Sequence, residues 1–219
     1  MDKISRYFDY ISMFPGFFSP DYSIRIVCDR KEIEAYAASN HTDLGVIYEN
    51  QYFAIVVDLL ENEAGNRYTY SRIINRNDYN GVVIIPFYND KIVVLEQFRH
   101  GTRQMEIELP RGFSEPTIPP EKNAIKEIFE ELGGKVSKIE SCGSIISDTG
   151  LTGGEVHVFI CRLESIGNVL GEEGIRGHKL LSFEEIEDLI YKGIIRDSFT
   201  ISAISKMMIY LRKRGKECF

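Results

Sequence analysis

The sequence predicts an α/β fold, with a central sheet layered on both sides and a smaller β-rich region before it. Three observations carry this expectation. The run Val82, Val83, Ile84, Ile85 is continuously apolar, as in a strand buried on both faces. Residues 120–132 alternate apolar and acidic positions at helical spacing. Two further capped helices follow towards the C-terminus. Residues 1–80 then form the N-terminal region, with one short helix, and residues 81–219 the main domain.

Taken in order, residues 1–45 give the fewest signals. Residues 22–28 suit a short strand, and Asp29 with Glu32 suits a capping box for a helix to about Ser39. Tyr7, Phe8, Tyr10, Phe14, Phe17 and Phe18 read as packing or dimer contacts. Residues 52–60 and 67–75 form a hairpin across the turn-rich stretch 61–66, and residues 81–88 and 91–98 a second across Asn89-Asp90. Arg99, His100 and Arg103 follow, each by itself an ordinary loop residue, and Glu106 and Glu108 lie in a short strand before Pro110. Pro119-Pro120 starts a helix over residues 120–132 and Gly133-Gly134 stops it. Residues 135–146 and 155–163 are strands joined by SDTGLTGG, and residues 179–181 a short one. Ser182 and Glu185 box a helix to about Lys192. Asp197 caps a last helix to about Arg212, where Arg212, Lys213, Arg214 and Lys216 meet its dipole.

Composition bounds the chemistry. The chain has 219 residues, 43% of them apolar and 27% charged, with a formal charge of −7. This balance argues against nonspecific nucleic-acid binding and is compatible with a small anionic substrate held through a metal. Cys28, Cys142, Cys161 and Cys218 have no zinc-ligand spacing and read as thiols of a reducing cytosol. No stretch approaches the roughly 20 apolar residues of a membrane span, and the N-terminus lacks the apolar core of a signal peptide. A cytoplasmic protein is expected.

The helix over residues 120–132 is where chemistry concentrates. Glu127, Glu130 and Glu131 are related as i, i+3 and i+4, and so share an arc of roughly 100°. Ile125, Ile128, Phe129 and Leu132 fall on roughly the opposite side, as a face for the core. Carboxylates so close repel, and a hard divalent cation relieves the repulsion. A solvated acidic face is the ordinary alternative; the helix alone does not separate the two, and the glycine upstream does.

Read from Gly112, residues 112–134 resemble the Nudix box, G-x5-E-x7-R-E-U-x-E-E-x-G-U with U a bulky aliphatic. Gly112, Glu127, Ile128, Glu130, Glu131 and Gly133 stand at matching positions. ELPRG at 108–112 is similar to the ELPAG preceding the box in ADP-ribose pyrophosphatase-like members, and Gln97-Phe98-Arg99 to their Q-[YF]-R. Residues 147–155 resemble their S-x-x-G-x-T-x-x-E loop, and residues 193–204 their closing G-x-I-x-D-x-x-T segment. Ile118 replaces the first glutamate of the box, Lys126 its arginine and Gly134 its closing aliphatic. Glu115 and Glu121, each three residues from Ile118, can reach towards the lost carboxylate or be plain solvated charges.

The resemblance implies an α/β/α sandwich around a mixed sheet, and Mg²⁺-dependent hydrolysis (Mn²⁺ as substitute) of the pyrophosphate bond of a nucleoside diphosphate derivative. ADP-ribose or a nucleotide-sugar is the leading substrate class; a dinucleoside polyphosphate, a nucleoside triphosphate or a coenzyme are alternatives. It implies metal ligation by Glu127, Glu130, Glu131 and the Arg111 carbonyl, with Glu155 as general base for water. Arg99 would neutralise phosphate and Glu108 contact substrate or support the metal shell. A homodimer is expected. The rival reading, motivated by Ile118 and Lys126, is a catalytically weak domain that binds a nucleotide as a sensor or interaction module.

Overall fold

The computed structural model describes residues 2–19, 23–76, 81–113, 115, 117–168 and 174–215. Tyr22, Lys216 and Cys218 of the expectations above lie outside the described residues. The chain divides into two compact units, residues 1–78 with 148–153, and residues 79–147 with 154–219.

The first unit contains α1 (Lys3–Met13), β1 (Ile24–Ile26), α2 (Arg30–Asn40), β2 (Gly45–Glu49), β3 (Phe53–Asn62) and β4 (Arg67–Asn75). Helix α1 is a feature that sequence reading left unassigned. Asp2 caps it by accepting the Ser5 amide, as Asp29 caps α2 by accepting that of Glu32. Strand β3 pairs along its length with β4, and with β2 and β1 in succession. Tyr7, Tyr10, Phe18, Ile33, Val56 and Ile74 are buried together. The first three aromatics are therefore core residues of this unit and supply no partner surface.

The second unit begins with β5 (Gly81–Tyr88) and β6 (Lys91–Arg99), which agree with the predicted hairpin to within a residue. Asn89 and Asp90 both take positive φ, 49° and 60°, the backbone of a two-residue hairpin turn. Next come β7 (Gln104–Glu108), β8 (Arg111–Gly112), α3 (Pro120–Leu132), β9 (Lys135–Ile146), β10 (Glu155–Ser165), β11 (Ile175–Leu181), α4 (Phe183–Tyr191) and α5 (Ser198–Lys213). The sheet runs β11-β6-β5-β10-β9, and it is mixed because β5 and β10 are parallel while its other pairings are antiparallel. Strand β11 is longer than the predicted 179–181, since its register with β6 extends back to Ile175 opposite Gln97.

Side chains along β5 alternate between two apolar layers. Val82 and Ile84 pack with Ala124, Ile128 and Leu132 of α3. Val83 and Ile85 pack with Ile186 of α4 and with Ala203, Ile204, Met207 and Leu211 of α5. Both faces of the strand are buried, so its sequence is apolar throughout, and the result is the expected α/β/α sandwich. One expectation fails here: Ile125 is 38% and Phe129 63% exposed. The buried arc of α3 centres on Ala124, Ile128 and Leu132, so the apolar stripe predicted from four residues is rotated, and two of its members are exposed.

Candidate active site

The pairing of β5 and β6 opens a slot for the segment that precedes α3. Their register is confined to the turn, at Phe87 with Ile92 and Tyr88 with Lys91. Residues 104–112 fill the space beyond: β7 pairs with β6 from Glu108 opposite Leu95, and β8 pairs with β5 at Val82–Gly112 and Val83–Arg111. This threading delivers Glu108, Arg111 and Gly112 to the flank of α3.

The helix begins and ends as its punctuation requires. Pro119 and Pro120 occupy the start, where no amide donor is needed, and Gly133 closes the end in the left-handed region at φ 56°. Gly134, which stands where the box has an aliphatic, is buried; a Cβ there would lie 2.9 Å from Ile128 Cγ2. That departure is a packing choice under the helix end. Asn123, fully buried, donates through Nδ2 to the Phe113 carbonyl at 3.1 Å and ties the exit of β8 to the helix.

Two of the box carboxylates converge on β8. The Glu127 carboxylate lies against Gly112, so close that a Cβ on the glycine would meet its oxygens at 2.2 and 2.4 Å. Glu131, buried at 7% exposure, accepts the Arg111 amide at 3.2 Å. Glu130 turns outward, where Lys126 Nζ stands 3.3 Å from its Oε2 and donates to Glu115 Oε1 at 2.7 Å. The Glu115 hydrogen bond is the main cause that holds the Lys126 ammonium above its ordinary value. Among the described residues, no three carboxylate, histidine or cysteine groups are drawn together tightly enough to chelate an ion. The oxygen donors at β8 nevertheless suit Mg²⁺, which takes one or two carboxylates and keeps waters or substrate phosphates for its remaining positions.

Arg99 and Glu108 are brought together as an ion pair. Glu108 is 2% exposed and accepts Arg99 Nε at 2.7 Å, with Arg111 Nη2 at 3.2 Å on the same oxygen. Arg99 is thus no solvated loop residue. Arg111, expected to matter through its carbonyl, also uses its side chain: the guanidinium is 3.5 Å from Asp197 and lies over the Phe199 ring. Asp197 caps α5 by accepting the amide and hydroxyl of Thr200, and Thr200 Oγ1 accepts the Leu109 amide. Arg196 grips the neighbouring Glu106 and holds that carboxyl below its ordinary value.

The Arg111 side chain and Arg196 were not picked out from sequence, and Thr200 entered only as the last position of the G-x-I-x-D-x-x-T segment, with no role assigned. The available signal was the i, i+2 spacing of Glu106 and Glu108 on a strand, which puts both on one face. His100 and Arg103 stay on the β6–β7 turn, where Arg103 Nη1 is 2.9 Å from His100 Nδ1. Glu155 is exposed at the first position of β10. Register puts it at the same end of the sheet as Gly112, because Val156 is opposite Gly81 and Gly112 opposite Val82. Glu121 is an exposed first-turn residue of α3.

No protein-family model matches the chain. It is 30% identical over 123 residues to an ADP-ribose pyrophosphatase of Bacillus subtilis (strain 168), covering 54% of this chain and 66% of that one. It is 26% identical over 150 residues to a methanol dehydrogenase activator of Bacillus methanolicus, covering 67% and 81% respectively. Among solved structures, an ADP compounds hydrolase superposes with a TM-score of 0.70 at 17% identity, over 80% of this chain and 94% of that one. That last likeness speaks to the fold alone. With the box spacing, the α/β/α layers and the two sequence relatives together, the chain belongs to the Nudix hydrolases, of the ADP-ribose pyrophosphatase-like kind.

Proposed function

We infer that this protein hydrolyses the pyrophosphate bond of a nucleoside diphosphate derivative in the presence of Mg²⁺, with ADP-ribose or a nucleotide-sugar as the leading substrate class. The carrying observation is the convergence of Glu127 and Glu131 on β8, one against Gly112 and the other on the Arg111 amide. The name of the Bacillus subtilis relative supports the substrate class.

In this reading Glu127, Glu130 and Glu131, with the Arg111 carbonyl, hold the cation. Bound Mg²⁺, for which Mn²⁺ can substitute, would neutralise the diphosphate and polarise the phosphorus under attack. Glu155 accepts the proton of the attacking water. Arg99 and Arg111 hold the Glu108 carboxylate in place, and their remaining N–H groups can donate to phosphate oxygens. The protein acts in the cytoplasm as a homodimer in this proposal; among the described residues no helix is long and apolar enough to cross a membrane.

The test is a panel of nucleoside diphosphate derivatives assayed with and without Mg²⁺, on wild-type protein and Glu131→Gln. Mg²⁺-dependent release of AMP from ADP-ribose, lost in the variant, is expected; a variant as active as wild type would end this assignment. One observation favours a second reading as a nucleotide-binding module of weak turnover: Lys126 engages Glu130, the outermost box carboxylate. Tight ADP-ribose binding by calorimetry without turnover in Mg²⁺ or Mn²⁺ would select it.

A further inference from the structure

The box lacks a carboxylate at position 118, yet its lysine is not without one. The Ile118 amide donates to the Glu115 carbonyl at 3.1 Å, closing a turn of the kind that brings residues three apart within about 7 Å. The loop thereby returns Glu115 to the neighbourhood of Ile118. From there its Oε1 takes Lys126 Nζ at 2.7 Å, and the same ammonium stands 3.3 Å from Glu130 Oε2.

We propose that Glu115 is a positioning residue which takes the place of the carboxylate missing at 118, by sharing Lys126 with Glu130 and so weakening the ammonium's hold on the carboxylate that would serve a divalent cation. The inference rests on the metal reading above. The electrostatics give it a direction. One ammonium is shared between two carboxylates, and Glu115 is the nearer. With Glu115 neutral, Lys126 would turn wholly to Glu130, an i, i+4 neighbour, and compete with the cation for that carboxylate. Lysine preceding glutamate at this spacing is the weaker order for a helical pair, so a second partner can outbid Glu130. All three side chains are well exposed, at 39, 47 and 47% for Lys126, Glu115 and Glu130. Pairs so exposed add little to folding, so the function of this one is orientation.

The test measures Mn²⁺ affinity by calorimetry and free-ion electron paramagnetic resonance, on the full chain without substrate. Glu115→Gln should weaken Mn²⁺ binding by about threefold, the scale of one exposed ion pair, with an unchanged melting temperature. Adding Ile118→Glu to Glu115→Gln should restore the affinity. In a Lys126→Ala background Glu115→Gln should have no effect. The proposal is overturned if Glu115→Gln binds Mn²⁺ as wild type does. It is overturned equally if the substitution weakens binding to the same extent without Lys126, which would mark a general field effect. Wild-type protein that binds no Mn²⁺ would remove the metal reading and this one with it, whereas normal wild-type binding with an unaffected variant removes this one alone.

Discussion

The Glu127 carboxylate occupies the space that a side chain at Gly112 would need: a Cβ built on the glycine would stand 2.1 Å from Glu127 Cδ. Gly112 is therefore selected by its neighbour on α3. Gly112→Ala should displace the carboxylate rather than unfold the protein, because the obstructing atoms are the mobile end of a side chain. Stability should fall by about 1 kcal/mol, the low end for overpacking. Divalent-cation affinity should fall about 10- to 100-fold, as when support around a metal ligand is lost. Thermal melting beside Mn²⁺ calorimetry measures both; unchanged affinity would show that Glu127 does not hold the ion.

Glu108 is a buried carboxylate with two cations on one oxygen, Arg99 and Arg111. Each guanidinium backs up the other, so single removal leaves the charge compensated. Arg99→Ala and Arg111→Ala should each cost about 1 kcal/mol. The double variant should cost about 3–5 kcal/mol, the penalty for a buried charge stripped of its partner. Urea unfolding of the four proteins in the cycle tests this. Strictly additive costs would mean that water, not the second arginine, takes over.

In the first unit, Asp58 is 1% exposed and accepts Arg72 Nε at 2.6 Å and the Tyr7 hydroxyl. Burial, with Asp58 adding to it, pushes the Tyr7 phenol well above its ordinary value, so the tyrosine stays a donor at any physiological pH. Arg72 also donates to the Phe17 carbonyl at 2.7 Å and lies over the Phe18 ring. Tyr7→Phe should cost about 1–2 kcal/mol. Asp58→Ala should cost about 3–5 kcal/mol, because it strands both donors. Hydrogen exchange at the amides of α1 and β3 should be faster than wild type in Tyr7→Phe and faster still in Asp58→Ala; protection unchanged from wild type in both variants would show that the network contributes nothing.

Local signals were legible in the sequence, and long-range pairings were not. The caps at Asp29, Ser182 and Asp197 and the stops at Gly133 and Asn89-Asp90 act within a few residues, and each is found where its side chain or backbone freedom predicts. The apolar face of α3 differs from the expected stripe because periodicity does not say which part of a stripe the core covers; Ala124, Ile128 and Leu132 are buried, and Ile125 and Phe129 are exposed. Helix α1 went unassigned because Tyr7 and Tyr10 are core residues that also carry hydroxyls, and their partners, Asp58 and Glu49, are distant in the chain. The box glutamates and Gly112 could be named from spacing. Arg111 on Asp197 and Arg196 on Glu106 could not, since each pair joins β7–β8 to the start of α5 and leaves no local pattern.

Cys161 gives a prediction in pH. It is completely buried among the apolar residues under α3, and burial pushes its thiol from 9.0 up to about 12. A group whose folded value is raised stabilises fully below its unfolded value, and that stability is lost as pH rises through the interval. The loss should begin near pH 9 and amount to about 2 kcal/mol by pH 10.5, at about 1.4 kcal/mol per unit. Tyrosines and lysines titrate in the same range, so the informative quantity is the difference between wild type and Cys161→Ala. The variant should be less stable by about 1 kcal/mol at pH 8, from the cavity it leaves. Its disadvantage should vanish and then reverse as the wild-type thiol in the unfolded chain ionises. A difference that stays constant from pH 8 to 10.5 would mean that the folded thiol ionises as readily as the unfolded one, and that the layer beneath α3 admits water.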